Sequence, residues 1–231
     1  MSKTIHMISG LPRSGSTLLC NILAQNPEMH STPTSACHEA LFVLRNAWGE
    51  WVEHKAAKSL ANNLQPVLNA TINAYHNTDR PVVIDIPQIL SSFEKLHRKT
   101  QAKDQGNYFQ AQTIQGRAEH LLGAEQVLGL AYNRLKDAMM RGLGDRLCLV
   151  EFDDLTHNPK GTLEDIYKFL ELPNFEHDFT SVEQYTNEDD SVHGMDLHTI
   201  RKDVKPIKDD SVSVLGVDLC KQYNSTEFWR K

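Results

Sequence analysis

Residues 4–19 read Thr-Ile-His-Met-Ile-Ser-Gly-Leu-Pro-Arg-Ser-Gly-Ser-Thr-Leu-Leu. A short apolar-leaning run over 5–8 enters a turn framed by Gly10 and Gly15. Ser16 and Thr17 follow, and Leu18 and Leu19 open a helical pattern. The order is strand, loop, helix. Such a loop aims successive backbone N–H groups at one point, and the helix N-terminus adds the positive end of its dipole there. The ligand it suits is a phosphate or a sulfate. Read blandly, the same residues are a glycine-rich turn that only joins a strand to a helix. Several anion-binding features stacked in one place favour the anion site.

The spacing approaches the nucleotide-binding pattern G-x-x-x-x-G-K-[ST], and the departures matter. Gly10, Gly15 and Thr17 stand in register, but the lysine position is Ser16. In that pattern the lysine reaches the terminal phosphates of a nucleoside triphosphate, and the next hydroxyl holds magnesium. Here the one cation is Arg13, inside the loop. That disfavours an ordinary ATPase or kinase. It favours a loop holding one phosphate, with a cation aimed at the group attached to it.

The stretch Gly-Leu-Pro-Arg-Ser-Gly-Ser-Thr-Leu-Leu resembles the 5′-phosphosulfate loop of the sulfotransferase family. Pro12-Arg13-Ser14-Gly15-Ser16-Thr17 fits that family's Pro-Lys/Arg-Ser-Gly-[Ser/Thr]-[Ser/Thr] core at every position. The resemblance implies 3′-phosphoadenosine 5′-phosphosulfate (PAPS) as donor, adenosine 3′,5′-bisphosphate (PAP) as product, and no metal. It implies that Pro12, Arg13, Ser14, Gly15, Ser16 and Thr17 bind the donor. Arg13 would then stabilise charge on the departing phosphate. A second stretch, Val-Glu-Phe-Asp-Asp-Leu over 150–155, followed by Asn158-Pro159 and Leu-Glu-Asp-Ile-Tyr-Lys-Phe-Leu, resembles the family's late strand–loop–helix. By that parallel Asp153 and Asp154 hold a loop by local hydrogen bonds rather than serve a metal.

Length and composition agree with this reading. The 231 residues, 40% hydrophobic and 23% charged, suit one α/β domain with a sizeable core. A net charge of −6 argues against nucleic acid or an anionic membrane as partner, so an anionic ligand needs local cations. Cys20, Cys37, Cys148 and Cys220 form no C-x-x-C pair. With no signal-peptide pattern and no membrane-spanning run, reduced thiols in the cytoplasm are the expectation.

Along the chain, residues 16–25 predict a helix with Leu18, Leu19, Ile22 and Leu23 on one stripe, ended at Asn26-Pro27. Residues 28–37 predict a polar loop, and a helical pattern runs from His38 through Trp51. Some sulfotransferases take their base from a glutamate after the first helix. Glu39 is the nearest carboxylate here, Thr34 lies nearer the family's offset, and His38 is the competing base. Read without the family, Glu39 is a first-turn glutamate suited to the helix dipole. Residues 55–76 predict one or two helices divided near Pro66, and 82–85 predict a buried parallel strand.

Ser92-Phe93 resembles the family's 3′-phosphate serine, which follows an arginine by eight residues. Counting back from Ser92 reaches Ile84, so the resemblance points to residues missing between Asp85 and Ile86. Residues 100–116 predict an exposed polar linker, or else a mobile loop near the acceptor site, 117–141 one long helix, 146–152 a strand, and 162–170 a helix capped by Thr162. An acidic loop follows over 175–190. Arg201 and Lys202 are the basic pair that the resemblance implies at the 3′-phosphate, or else a solvated pair. A last helix is predicted over 215–229.

The expected architecture is one α/β domain over 1–231: a P-loop NTPase-like parallel sheet flanked by helices, with a mostly helical C-terminal part. The expected activity is transfer of a sulfuryl group from PAPS to a hydroxyl or amine of a small-molecule, glycan or peptide acceptor. A P-loop kinase using ATP and a non-catalytic nucleotide-binding protein are the alternatives.

Overall fold

The computed structural model describes residues 5–8, 14–33, 35–57, 62–78, 80, 82–84, 113–186, 189–193, 198–223 and 228–230. The first strand, β1, is Ile5–Met7 and the first helix, α1, is Ser16–Leu23. Leu18, Leu19, Ile22 and Leu23 are all buried, as their spacing predicts. At the far end of α1 the Asn26 side chain accepts from Glu28 N at 2.9 Å, closing the turn at Pro27.

The polar stretch 28–37 is not wholly loop, as predicted, but contains a strand, β2, His30–Thr32. Three residues with no apolar alternation carry no strand signal. Pairing with β3, Val82–Ile84, creates the strand instead. The three strands form a parallel sheet in the order β1-β3-β2, with Ile5 and His30 level with Val82, and Met7 and Thr32 level with Ile84. Parallel pairing requires crossovers, and the intervening helices supply them. The chain therefore leaves all three strands at one edge of the sheet, after Met7, Thr32 and Ile84. In open α/β sheets that edge is where ligands bind.

Between β2 and β3 lie α2 (Cys37–Trp48), α3 (Val52–Ala56) and α4 (Leu64–His76). Trp51, predicted inside α2, falls outside it, at the start of α3. Pro66 sits in the first turn of α4, where its missing N–H costs nothing. Helix α2 docks on α4, and Ala36 N donates to Tyr75 Oη at 3.2 Å.

The predicted single helix over 117–141 is two helices, α5 (Ile114–Leu122) and α6 (Val127–Met140). Gly129 of α6 lies against the end of α5, so an added Cβ would stand 2.1 Å from Gly123 O. The break itself lies at Gly123, whose backbone leaves the helix with ψ 145°, and the turn it makes brings Gly129 back against the end of α5. Helix α5 also begins inside the stretch expected to be linker, capped by Thr113, whose Oγ1 accepts from Gly116 N at 2.9 Å.

The predicted strand over 146–152 is not one of the described strands. It ends in α7, Phe152–His157, whose first turn holds Asp153 and Asp154. Helix α8, Pro159–Phe169, is capped by Asn158, whose Oδ1 accepts from Gly161 N at 3.2 Å, not by Thr162. Proline at the first helical position makes Asn158 the natural cap. The helix predicted over 215–229 is α10, Val217–Tyr223, and a separate short helix, α9 (Ser211–Leu215), precedes it across Gly216. The described C-terminal part is therefore less helical than expected: between α8 and α9 it is irregular apart from a short 3-10 turn at Asp190–His193.

The core joins the α1 stripe to Leu155, Leu163, Ile166 and Tyr167 of α7 and α8, and to Val182 and Val204 beyond them. A buried polar chain crosses it. Asn26 Nδ2 donates to Tyr167 Oη at 3.0 Å, and Tyr167 Oη bonds His177 Nε2 at 3.1 Å. Burial lowers the pKa of His177, and likewise of His6 in β1. Both imidazoles are therefore held neutral when folded, while the unfolded chain takes up protons below a pKa of about 6.5. Their contribution is complete above that value and is lost as pH falls toward the lowered folded pKa. The expected outcome is a melting temperature that drops between pH 7.5 and 5.5, with a shallower drop in His177→Gln; thermal scans across that range check it.

Candidate functional site

The anion-type loop meets α1 at Gly15, which takes φ 93°, a left-handed value that favours glycine. Space requires glycine as well. An added Cβ would lie 2.5 Å and 2.7 Å from two ring carbons of Phe152. The ring at the head of α7 therefore lies against Gly15. Phe152 is the residue that the sequence reading missed. It falls in the second family-like stretch, but no spacing in a sequence shows that this aromatic meets Gly15.

The first helical bond of α1 runs from Leu19 N to Gly15 O at 2.9 Å. The N–H groups of Ser16, Thr17 and Leu18 thus have no acceptor within the helix, and among the described residues no side chain caps it. At the head of α2 the first donors are occupied, Ala36 N by Tyr75 Oη and Cys37 N by Ser35 Oγ at 3.2 Å. Ser16 is buried and Thr17 half-buried. The mouth of α1 is therefore an uncapped, partly desolvated set of donors, the environment in which an anion is held best.

One turn further, the Asn21 side chain braces the helix. Its Nδ2 donates to Thr17 O at 2.8 Å, and its Oδ1 accepts from Tyr185 N at 2.9 Å. Tyr185 belongs to an irregular strap whose described arms, residues 175–186 and 198–204, pair with each other beside α1. Val204 N donates to Phe179 O at 2.8 Å, and Val182 N to Lys202 O at 2.7 Å. Arg201 and Lys202 ride the returning arm with exposed side chains. The structure thus carries the late basic pair on a segment packed against α1.

Glu39 lies in the first turn of α2, exposed, with a carboxylate that makes no hydrogen bond or ion pair among the described residues. Its helix leaves the same sheet edge as the loop before α1. His38 is in the same turn. Pro12, Arg13, Thr34, Ser92 and the junction of Asp85 with Ile86 lie outside the described residues. Among the described residues no cluster of three His, Cys, Asp or Glu could hold a metal ion, and no helix is long and apolar enough to cross a membrane.

Residues 7–115 match the model described as the Sulfotransferase family. The match takes in the loop, α1, α2, α4 and most of the three-stranded sheet, and it runs through the junction at 85–86. No curated protein matches the chain.

The Gly15 contact gives a direct test. Gly15→Ala should destabilise by about 2–4 kcal/mol, from the left-handed backbone and the collision with Phe152 together. Phe152→Leu in the Gly15→Ala background should recover about 1 kcal/mol as coupling. Urea unfolding of the four proteins of the cycle measures both, and strictly additive effects would refute the contact.

Proposed function

We propose that this chain, a member of the sulfotransferase family over residues 7–115, moves a sulfuryl group from PAPS to an acceptor hydroxyl or amine and releases PAP. The observation that carries the reading is the mouth of α1: a left-handed Gly15, no side-chain cap, and a Ser-Thr pair in the first turn. The family implies a wider P-loop-like α/β sheet around the three described strands, in a single domain over 1–231. The donor site fits those residues because the uncapped N–H groups match a phosphate, while Ser16 in place of lysine leaves no reach toward a triphosphate tail.

In this reading the N–H groups of 14–17 and the hydroxyls of Ser16 and Thr17 hold the 5′-phosphate, and Pro12 shapes the entry to the loop. Arg13 binds the bridging and sulfuryl oxygens, and Ser14 tunes that contact. Glu39, or else His38, takes the acceptor proton. The acceptor oxygen or nitrogen forms a bond to sulfur as the bond from sulfur to the bridging oxygen breaks. The electron pair leaves with the phosphate of PAP, where Arg13 and the helix dipole stabilise it. Ser92, Arg201 and Lys202 hold the 3′-phosphate. The transferred group carries one negative charge, so the step needs no magnesium. The acceptor is a small molecule, a glycan or a peptide, and the cytoplasm is the proposed setting.

Calorimetry with PAP, and separately with ATP and magnesium, tests the donor. Submicromolar PAP binding without ATP binding is expected, and the reverse would replace the reading with a kinase. Arg13→Ala should lower turnover by about 10²–10³-fold, the usual cost of one transition-state donor. Glu39→Gln should lower turnover while leaving PAP affinity unchanged; an equal loss in both would make Glu39 structural.

A further inference from the structure

Asn21 is 1% exposed and sits within α1 among Leu18, Leu19, Ile22 and Leu23, all buried and apolar. A buried amide costs free energy unless its donor and its acceptor are both used. Here they are used in different directions. Asn21 Oδ1 accepts from Tyr185 N at 2.9 Å, and Asn21 Nδ2 donates to Thr17 O at 2.8 Å. The strap beside Tyr185 is itself fixed. Gln184 Oε1 accepts from Ile200 N at 3.2 Å, and Gln184 Nε2 donates to Thr186 O at 3.0 Å. The Asn21 amide is therefore oriented from the strap. Gln25, one turn on, spends both of its amide atoms on the strap, at Asp178 N and Asp178 O, each at 2.8 Å. Asn21 divides its two between the strap and the first turn of the helix.

The bond to Thr17 bears on the mouth of α1. Thr17 O and Leu18 N belong to one peptide unit, and Leu18 N–H is one of the first-turn donors without an acceptor among the described residues. Amides thus donate in series: Tyr185 N–H to Asn21, Asn21 to the Thr17–Leu18 peptide, and that peptide, through Leu18 N–H, outward from the start of the helix. Hydrogen bonds in such a chain polarise one another, and burial in a low dielectric strengthens each. The series points the same way as the helix dipole, so both concentrate positive charge at the mouth.

We propose that Asn21 is a positioning residue for the donor site. Its side-chain amide holds the Thr17–Leu18 peptide so that Leu18 N–H joins the N–H groups of 14–17 as a donor to the 5′-phosphate, and it couples that donor to the strap at Tyr185. This rests on the reading that PAP and PAPS bind at the mouth of α1. Asn21 does not touch the ligand; it acts through Thr17 and Leu18.

The test uses the whole chain with PAP as the probe. Asn21→Ala removes both bonds and should weaken PAP binding about tenfold. Asn21→Ser keeps a hydroxyl that can donate to the carbonyl one turn back, as Thr156 does to Phe152 O at 2.9 Å, but it is too short to hold Tyr185 N as well. It should bind PAP within about threefold of the unaltered chain. Both variants lose the strap bond, so a merely structural role would weaken both alike. Amide hydrogen exchange read by NMR is the second measurement. PAP should slow exchange at Leu18 N–H and at Tyr185 N–H of the unaltered chain, and the slowing at Tyr185 should vanish in Asn21→Ser. Unaltered PAP affinity in Asn21→Ala, or equal losses in the two variants, overturns the proposal and leaves the donor reading standing. Exchange at Tyr185 N–H that PAP leaves unchanged in the unaltered chain overturns it too, whether or not the variants fold. Absence of PAP binding by the unaltered chain overturns the donor reading itself.

Discussion

The contact between Gly15 and the ring of Phe152 constrains everything around the mouth of α1. A left-handed residue at the start of a helix turns the incoming chain sharply, and glycine takes that conformation without a steric penalty. Conformational freedom alone would leave the loop loose. The ring fills the space that a side chain would have taken and presses the turn into one shape. Phe152 also packs on the core that holds the α1 stripe. The donors of Ser16 and Thr17 are thus set by the same packing that stabilises the domain. Preorganised donors of this kind are what a transferring group requires, because they need not rearrange as charge moves.

Helix α1 is held on several sides by unlike means. Its apolar stripe meets α7, α8 and the strap, so burial orients it. Asn21 and Gln25 add hydrogen bonds that apolar packing could not specify, fixing the register of the strap along the helix. Beyond its end, Asn26 ties the following turn to Tyr167 and His177. The chain is acidic overall, so an anionic ligand depends on local arrangement rather than on a basic surface. The strap carries Arg201 and Lys202, with exposed side chains, from the far end of the sequence.

Much of this was legible in the residues. The loop over 10–17 carries its own chemistry, and the stripe of α1 and the β-branched run at 82–84 follow simple periodicities. The strand at 30–32 was not legible, since His, Ser and Thr become a strand only through pairing with a neighbour remote in sequence. The break between α5 and α6 escaped because apolar residues continue on both sides of it, while Gly123 takes an extended, non-helical backbone that ends α5. The extended run at 147–151 has a strand's composition, and composition says nothing about which edge is available to pair. In the site, the glycine turn at Gly15 leading into α1 was legible and its support was not. Phe152 and Asn21 act through contacts with segments more than a hundred residues away in sequence.

The braces on α1 have a consequence for biogenesis. Residues 5–23 leave the ribosome well before Phe152, Tyr185 and Val204, and β1 must wait for β3 before it has a neighbour in the sheet. The segment made early is therefore the one completed late. Until the strap has emerged, the apolar stripe of α1 is exposed to whatever else is present, the situation in which chaperones capture nascent chains. A chain arrested before the strap would carry an intact loop sequence without the packing that shapes it. Elongation pace over the second half of the message thus governs how long that stripe stays open to misassembly.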